Sequence, residues 1–210
     1  IYLADRILEL PLALFAVSMG SALLPTLSEY WARNEREAMC EASLKYLKLT
    51  FFLALPAALG AYFLASPIVE VLFDRGHFCS TDVKMTAEVL RIYGFSVLTY
   101  AGIRVIVSPF YAIKNTWIPA VTSACALVVH YFLAAYLVTD YGIVGLAAAG
   151  VISYACNLAL LLFFHTYYIG AIPYLKFSVS LMKFSLAGLG LVAVMKAYEP
   201  ILSFLVILGE

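Results

Sequence analysis

The chain has 210 residues, 64% of them hydrophobic and only 12% charged, with a mean hydropathy of +0.96. Soluble domains carry about 25% charged residues, so an ordinary soluble domain is excluded. Long unbroken apolar runs exclude a transmembrane barrel, whose strands alternate over about ten residues. The formal net charge is zero, so no global field gathers nucleic acid, and no nucleic-acid partner is expected. The fold expected is all-α, a polytopic transmembrane helical bundle.

Six full spans and a truncated seventh can be placed along the sequence. The first covers residues 3–29, the second 48–73, the third 85–107, the fourth 117–139, the fifth 143–168 and the sixth 178–198. Pro200 follows, and residues 201–208 begin a seventh span. The closing string ILSFLVILGE is shorter than the roughly 20 apolar residues that a hydrocarbon core requires. The first residue is Ile1, at the edge of an apolar helix, so the chain is expected to be an internal or truncated piece of a longer protein, with no signal peptide to interpret.

Short connections predict antiparallel neighbours. The exception is 30–47, YWARNEREAMCEASLKYL, a charged amphipathic stretch expected at the membrane surface or as a short connecting helix. Basic residues orient the bundle. Arg33, Arg36, Lys45, Lys48, Lys114, Lys176 and Lys183 fall on one side, and Arg75, Lys84, Arg91 and Lys196 on the other. The positive-inside rule then puts the 30–47, 108–116 and 165–177 connections in the cytoplasm, with 74–84 and 140–142 outside. Pro11, Pro25, Pro56 and Pro67 interrupt the first two spans. Each removes a backbone hydrogen bond, leaving either packing bends or bending elements able to rock.

Arg6 and Glu9 lie within the first span, three residues apart on one helix face and in its outer half. A charge at bilayer depth costs about 2.5–3.5 kcal/mol on insertion scales, so intramembrane ionisable groups mark pathways and substrate sites. The same face continues through Ala13, Ala16 and Gly20, small residues that permit close helix approach or a cavity. A guanidinium in such a cavity grips phosphate or pyrophosphate bidentately, and Glu9 holds it in position. The competing reading is a structural ion pair that locks two helices. Asp5, nearer the helix end, is read as a snorkelling or capping residue. Arg104, near the cytoplasmic end of the third span, is either a contact to an anionic ligand or an interfacial snorkelling arginine; Arg91 is read as snorkelling. His130, in mid-membrane, is a proton-relay candidate or a partner in an interhelical hydrogen bond, and Asn157 is expected to bond between helices.

Tyrosines at span ends (Tyr30, Tyr46, Tyr93, Tyr111, Tyr141, Tyr167 and Tyr168) read as an aromatic belt rather than a ligand cage. Cys40, Cys79, Cys125 and Cys156 form no CxxC pair, so no metal or redox site is expected, and they read as small buried hydrophobes. No P-loop, zinc motif or nucleophile elbow is present in the sequence, and nothing in it supports an enzyme.

The string ADRILELPLALFAVSMGSALLPTLS resembles the eighth transmembrane helix of the MurJ/MviN family. LALPAALG, LFDRGHF with Asp82, Tyr93–Gly94 and PFYAIKNTWIP follow in that family's order and spacing, and GIVGLAAAGVISYACNLALLL is similar to its twelfth helix. The resemblance covers nearly the whole chain. It implies a two-lobed, fourteen-helix flippase that carries lipid II, the undecaprenyl-pyrophosphate-linked peptidoglycan precursor, across the bacterial inner membrane. The other partners implied are membrane lipids and the remaining N-terminal lobe of the same protein. Residues 1–168 would be helices 8–12 of the second lobe, and 169–210 helix 13 and the start of helix 14. The resemblance makes Arg6 a cavity cation for the pyrophosphate and Glu9 its partner, with Arg104 a further basic cavity position.

The sequence departs from the family pattern in places. Asn115 and Ile118 stand where many members have Asp and Thr. His130, Ala134 and Gly150 fall where some members bind sodium, which argues against sodium coupling. No cofactor and no metal are expected. Two alternatives remain: a related exporter of drugs or other lipid-linked polysaccharides, and a non-transporting scaffold for cell-wall enzymes.

Overall fold

The computed structural model describes residues 1–13, 18–73, 80–171, 177–188, 190–192 and 194. Its helices are α1 (Tyr2–Pro11), α2 (Ser18–Ala32), α3 (Arg36–Phe63), α4 (Ala65–Phe73), α5 (Ser80–Ala112) and α6 (Trp117–Tyr168). A shorter apolar helix, α7, covers Phe177–Val192. No strand occurs among the described residues, and α3, α6 and Thr81–Ala112 of α5 are each long and apolar enough to cross a membrane.

The interruptions follow from sequence chemistry. Pro11 ends α1, and the chain widens into a looser turn at Leu12–Ala13. Pro67 has no N–H to give the carbonyl four residues back, and α3 accordingly stops at Phe63 before α4 resumes at Ala65. Across that break the Leu64 N–H still donates to Gly60 O (2.9 Å) and the Ile68 N–H to Leu64 O (2.9 Å), so the two helices form one bent rod. Pro25 and Pro56 are carried inside α2 and α3.

The 30–47 stretch differs from expectation. The chain turns at Arg33–Glu35, with Asn34 at φ 60°, and from Arg36 one helix runs unbroken to Phe63. Met39, Cys40, Ser43, Leu44 and Leu47 recur at helical spacing and are all buried. The amphipathic stretch is therefore the first part of a span-length helix. Arg36 stacks on the Trp31 ring, 5.3 Å from its centroid, and ties the turn together.

Residues 117–168 hold two helical limbs folded on each other. Gly142 adopts φ 57°, ψ −133°, a conformation outside the helical region and open to glycine. A Cβ on Gly145 would lie 2.2 Å from the Leu137 carbonyl oxygen. In a straight helix residues eight apart stand about 12 Å from each other, so the chain reverses at Gly142. The two limbs, 117–141 and 143–168, coincide with the expected fourth and fifth spans.

Helix α5 is the hub, in contact with α1, α2, α3, α4 and α6. Towards α3 and α4 it buries Val83, Ala87, Leu90, Val97 and Ala101, and the facing row is Ala54, Ala58, Ala61 and Ala65. These small residues bring the backbones together, as membrane helices require where hydrophobic transfer supplies no drive. At the other end of α5, Val105, Ile106 and Phe110 pack with Leu23, Leu27, Met39, Leu44, Leu47 and Leu161. Cys40 is buried as expected, but Cys125 and Cys156 are exposed on the outer surface of α6, and Cys79 lies outside the described residues.

A Cβ at Gly94 would stand 2.9 Å from the Ala58 carbonyl oxygen, a backbone atom that cannot swing away, whereas one at Gly60 meets nothing within 4 Å. Gly94→Ala is expected to destabilise the bundle by about 1–3 kcal/mol through overpacking. Gly60→Ala is expected to gain about 0.5–1 kcal/mol from helix propensity. Unfolding midpoints in detergent check this ordering.

Candidate functional site

A groove of about 990 Å³ runs along α5 between α1, α2 and both limbs of α6. Helix α5 contributes Tyr93, Ser96, Tyr100, Arg104, Ser108 and Tyr111, spaced three or four residues apart and therefore on one face. That stripe lies roughly a quarter turn from the small-residue seam that packs on α3. The first limb of α6 adds Ser123 and His130, and the second adds Ser153, Tyr154 and Asn157. Asp5 enters from α1. From Tyr93 to Tyr111 the stripe rises about 27 Å, close to the thickness of a hydrocarbon core.

Among the described residues that line the groove, Arg104 is the one arginine or lysine. Its guanidinium sits over the Tyr100 ring, 5.0 Å from the centroid, and its Nη2 donates to the Tyr100 hydroxyl. Among the described residues no carboxylate lies within 4.0 Å of it. The positive charge is thus braced by an aromatic ring and, among the described residues, has no carboxylate in ion-pair contact. The Ser108 Oγ, one turn on, donates to the Arg104 carbonyl at 3.2 Å.

Arg6 and Glu9 form an ion pair within α1, Nη1 to Oε2 at 2.6 Å, with 55% and 56% of the two side chains exposed. Arg6 Nε also donates to the Tyr2 hydroxyl at 3.2 Å, and the guanidinium lies 5.1 Å from the centre of that ring. Both partners belong to one helix, so the pair does not lock two helices together here. Nor does it line the groove that holds Arg104; its neighbour Asp5 does. The structure therefore does not bring the three expected site residues into one cluster. Of the small-residue face beyond them, Ala13 is exposed, while Ala16 lies outside the described residues and the surroundings of Gly20 are not described.

Several expectations change. Arg91 is not merely snorkelling: its Nη2 donates to Ser66 Oγ at 3.1 Å and joins α5 to the start of α4. Asp5 lines the groove instead of only capping a helix end. His130 lies across from Gly150, whose added Cβ would be 3.9 Å from its Cε1. The interhelical hydrogen bond expected of His130 is not among those formed by the described residues. Asn157 is buried, yet its Oδ1 has no hydrogen-bond partner among them. Tyr93 and Tyr111 belong to the groove and not only to an interfacial belt. The tyrosines Tyr100 and Tyr154 went unremarked in the sequence. The signal for Tyr100 was available in the spacing Tyr93–Ser96–Tyr100–Arg104–Ser108, a polar stripe along α5, whereas Tyr154 on α6 has no part in it. Among the described residues no group of three or more His, Cys, Asp or Glu could hold a metal ion.

Span-length apolar helices folded around a polar groove define a multi-pass α-helical membrane protein. The family described as lipid II flippase MurJ matches residues 1–207, and the chain belongs to that family. A probable lipid II flippase MurJ of Bdellovibrio bacteriovorus is 45% identical over 206 residues, covering 97% of this chain and 39% of the relative. The lipid II flippase MurJ of Burkholderia cenocepacia is 33% identical over 163 residues, which is 76% of this chain and 31% of that protein. A solved structure of lipid II flippase MurJ in an inward closed conformation superposes with a TM-score of 0.81 at 28% identity, over 93% of this chain and 40% of that one. The chain therefore spans about two fifths, or less, of the length of these relatives.

Because the Arg6–Glu9 pair is local and more than half exposed, Glu9→Gln is expected to leave the unfolding midpoint in detergent unchanged. A clear drop would mean that the pair carries part of the fold.

Proposed function

We propose that this chain is the second-lobe portion of a lipid II flippase of the bacterial inner membrane. Residues 1–168 form family helices 8–12, and 169–210 form helix 13 and the start of helix 14. The observation that carries this reading is a polar groove about as long as a bilayer core is thick, holding a cation with no carboxylate beside it among the described residues. A pyrophosphate supplies the missing negative charge. The names of the relatives point the same way.

The proposed mechanism is alternating access. The polyprenyl tail stays in lipid, and only the headgroup crosses, which limits the desolvation cost to the groups the cavity can pair. Arg6 and Arg104 act as substrate-binding cations. Glu9 and Tyr100 hold their guanidinium groups in reach, so less ordering entropy is lost when the anion arrives. The bent α3–α4 rod gives the lobe a place to flex as the cavity turns outward. The protein transports without covalent chemistry, and the loops that carry most of the lysines and arginines face the cytoplasm.

Arg6→Ala in the full-length protein is expected to abolish lipid II transport in proteoliposomes while leaving expression and unfolding temperature intact. Normal flipping by a well-expressed Arg6→Ala variant would sink the assignment of this residue. Exchanging the two charges, Arg6→Glu with Glu9→Arg, is expected to leave transport abolished. Recovery in the exchanged protein would mark the pair as structural.

A further inference from the structure

Within the groove, Tyr100 is engaged twice. Arg104 lies 5.0 Å from its ring centre, and the Tyr154 ring meets it edge to face at 5.9 Å and 79°. Tyr154 has no other ring neighbour among the described residues, is 41% exposed and lines the groove. One turn further along the same limb, Asn157 also lines the groove, 7% exposed, with Oδ1 lacking a hydrogen-bond partner among the described residues. A buried amide carbonyl left unpaired costs free energy unless something donates to it. Cation, braced aromatic ring and unpaired acceptor thus line one groove, with Tyr154 against Tyr100 and Leu158 against Gly102 placing Asn157 at about the level of Arg104.

We propose that Tyr154 and Asn157 form a carbohydrate subsite next to the Arg104 anion site. This rests on the flippase reading and adds the part of the headgroup that these residues contact. A pyranose presents a face of C–H bonds that packs on the electron-rich face of an aromatic ring. Its hydroxyl or acetamido N–H groups supply the donor that Asn157 Oδ1 lacks. In a glycosyl pyrophosphate the sugar is joined directly to the phosphate, so its two binding elements must be adjacent. Arg104 and Tyr100 are one helical turn apart, about 6 Å along the axis, and Tyr154 abuts Tyr100. A peptide or a bare phosphate accounts for neither the open ring nor its position beside the cation.

The test compares binding by the full-length protein in nanodiscs of three probes: lipid II, the same lipid disaccharide without its stem peptide, and undecaprenyl pyrophosphate. Tyr154→Leu, which keeps an apolar side chain but removes the aromatic face, is expected to bind both disaccharide lipids roughly tenfold more weakly and undecaprenyl pyrophosphate as the unaltered protein does. Tyr154→Phe is expected to bind all three normally. Asn157→Leu is expected to lose several-fold on the disaccharide lipids alone. Equal weakening on all three probes, no weakening on any, or weakening only where the peptide is present would each overturn the subsite. Failure of the unaltered protein to bind lipid II at all would instead overturn the flippase reading. Unfolding midpoints identify any variant that fails to fold, and the Tyr154 and Asn157 variants test the subsite separately.

Discussion

The close approach of α5 to α3 is the constraint on which the rest of the bundle depends. In a membrane, lipid tails solvate leucine as well as another helix does, so helices stay together through contact and not through transfer from water. Ala54, Ala58, Ala61 and Ala65 on one side and Ala87, Gly94 and Ala101 on the other let the two backbones meet, with the Ala58 carbonyl against the bare Cα of Gly94. Fixing α5 there fixes its rotation. Once that seam is buried, the stripe from Tyr93 to Tyr111 has one direction left to face, and both limbs of α6 close over it.

The reversal at Gly142 is the second condition. Its conformation turns one long apolar run into two antiparallel limbs, and Gly145 lets the second limb start hard against Leu137. That brings His130 opposite Gly150 and sets Tyr154 against Tyr100, residues that neither limb could bring together alone. The large apolar cluster around Phe110 and Leu27 holds the other end of the same groove.

Electrostatics explains why the polar residues take the partners they do. Arg104 gains an aromatic face and a hydroxyl but no carboxylate among the described residues, which holds the charge in place without neutralising it. Arg6 gains both Tyr2 and Glu9, all on one helix. One arginine is thus paired within its own helix and the other is held by a tyrosine, with no carboxylate within ion-pair distance among the described residues.

The sequence by itself determined that the protein is helical and apolar enough to cross a membrane, and that Pro11 and Pro67 stand where helices change, because hydropathy and missing N–H groups are local properties. It also singled out Arg6, Glu9 and Arg104, since a charge in an apolar run stands out at any position. Tertiary structure alone decided that Arg6 and Glu9 pair within α1 while Asp5 turns to the groove, and that Arg91 reaches Ser66. It also decided that the stretch from Arg36 begins a span-length helix, that Cys125 and Cys156 are exposed, and that Tyr154 and Asn157 line the same groove as Arg104. The reason is geometric. A side chain's neighbours depend on how each helix is rotated about its axis, and α5's rotation is set by backbone contact at Gly94, which depends on Ala58 more than 30 residues earlier in the chain.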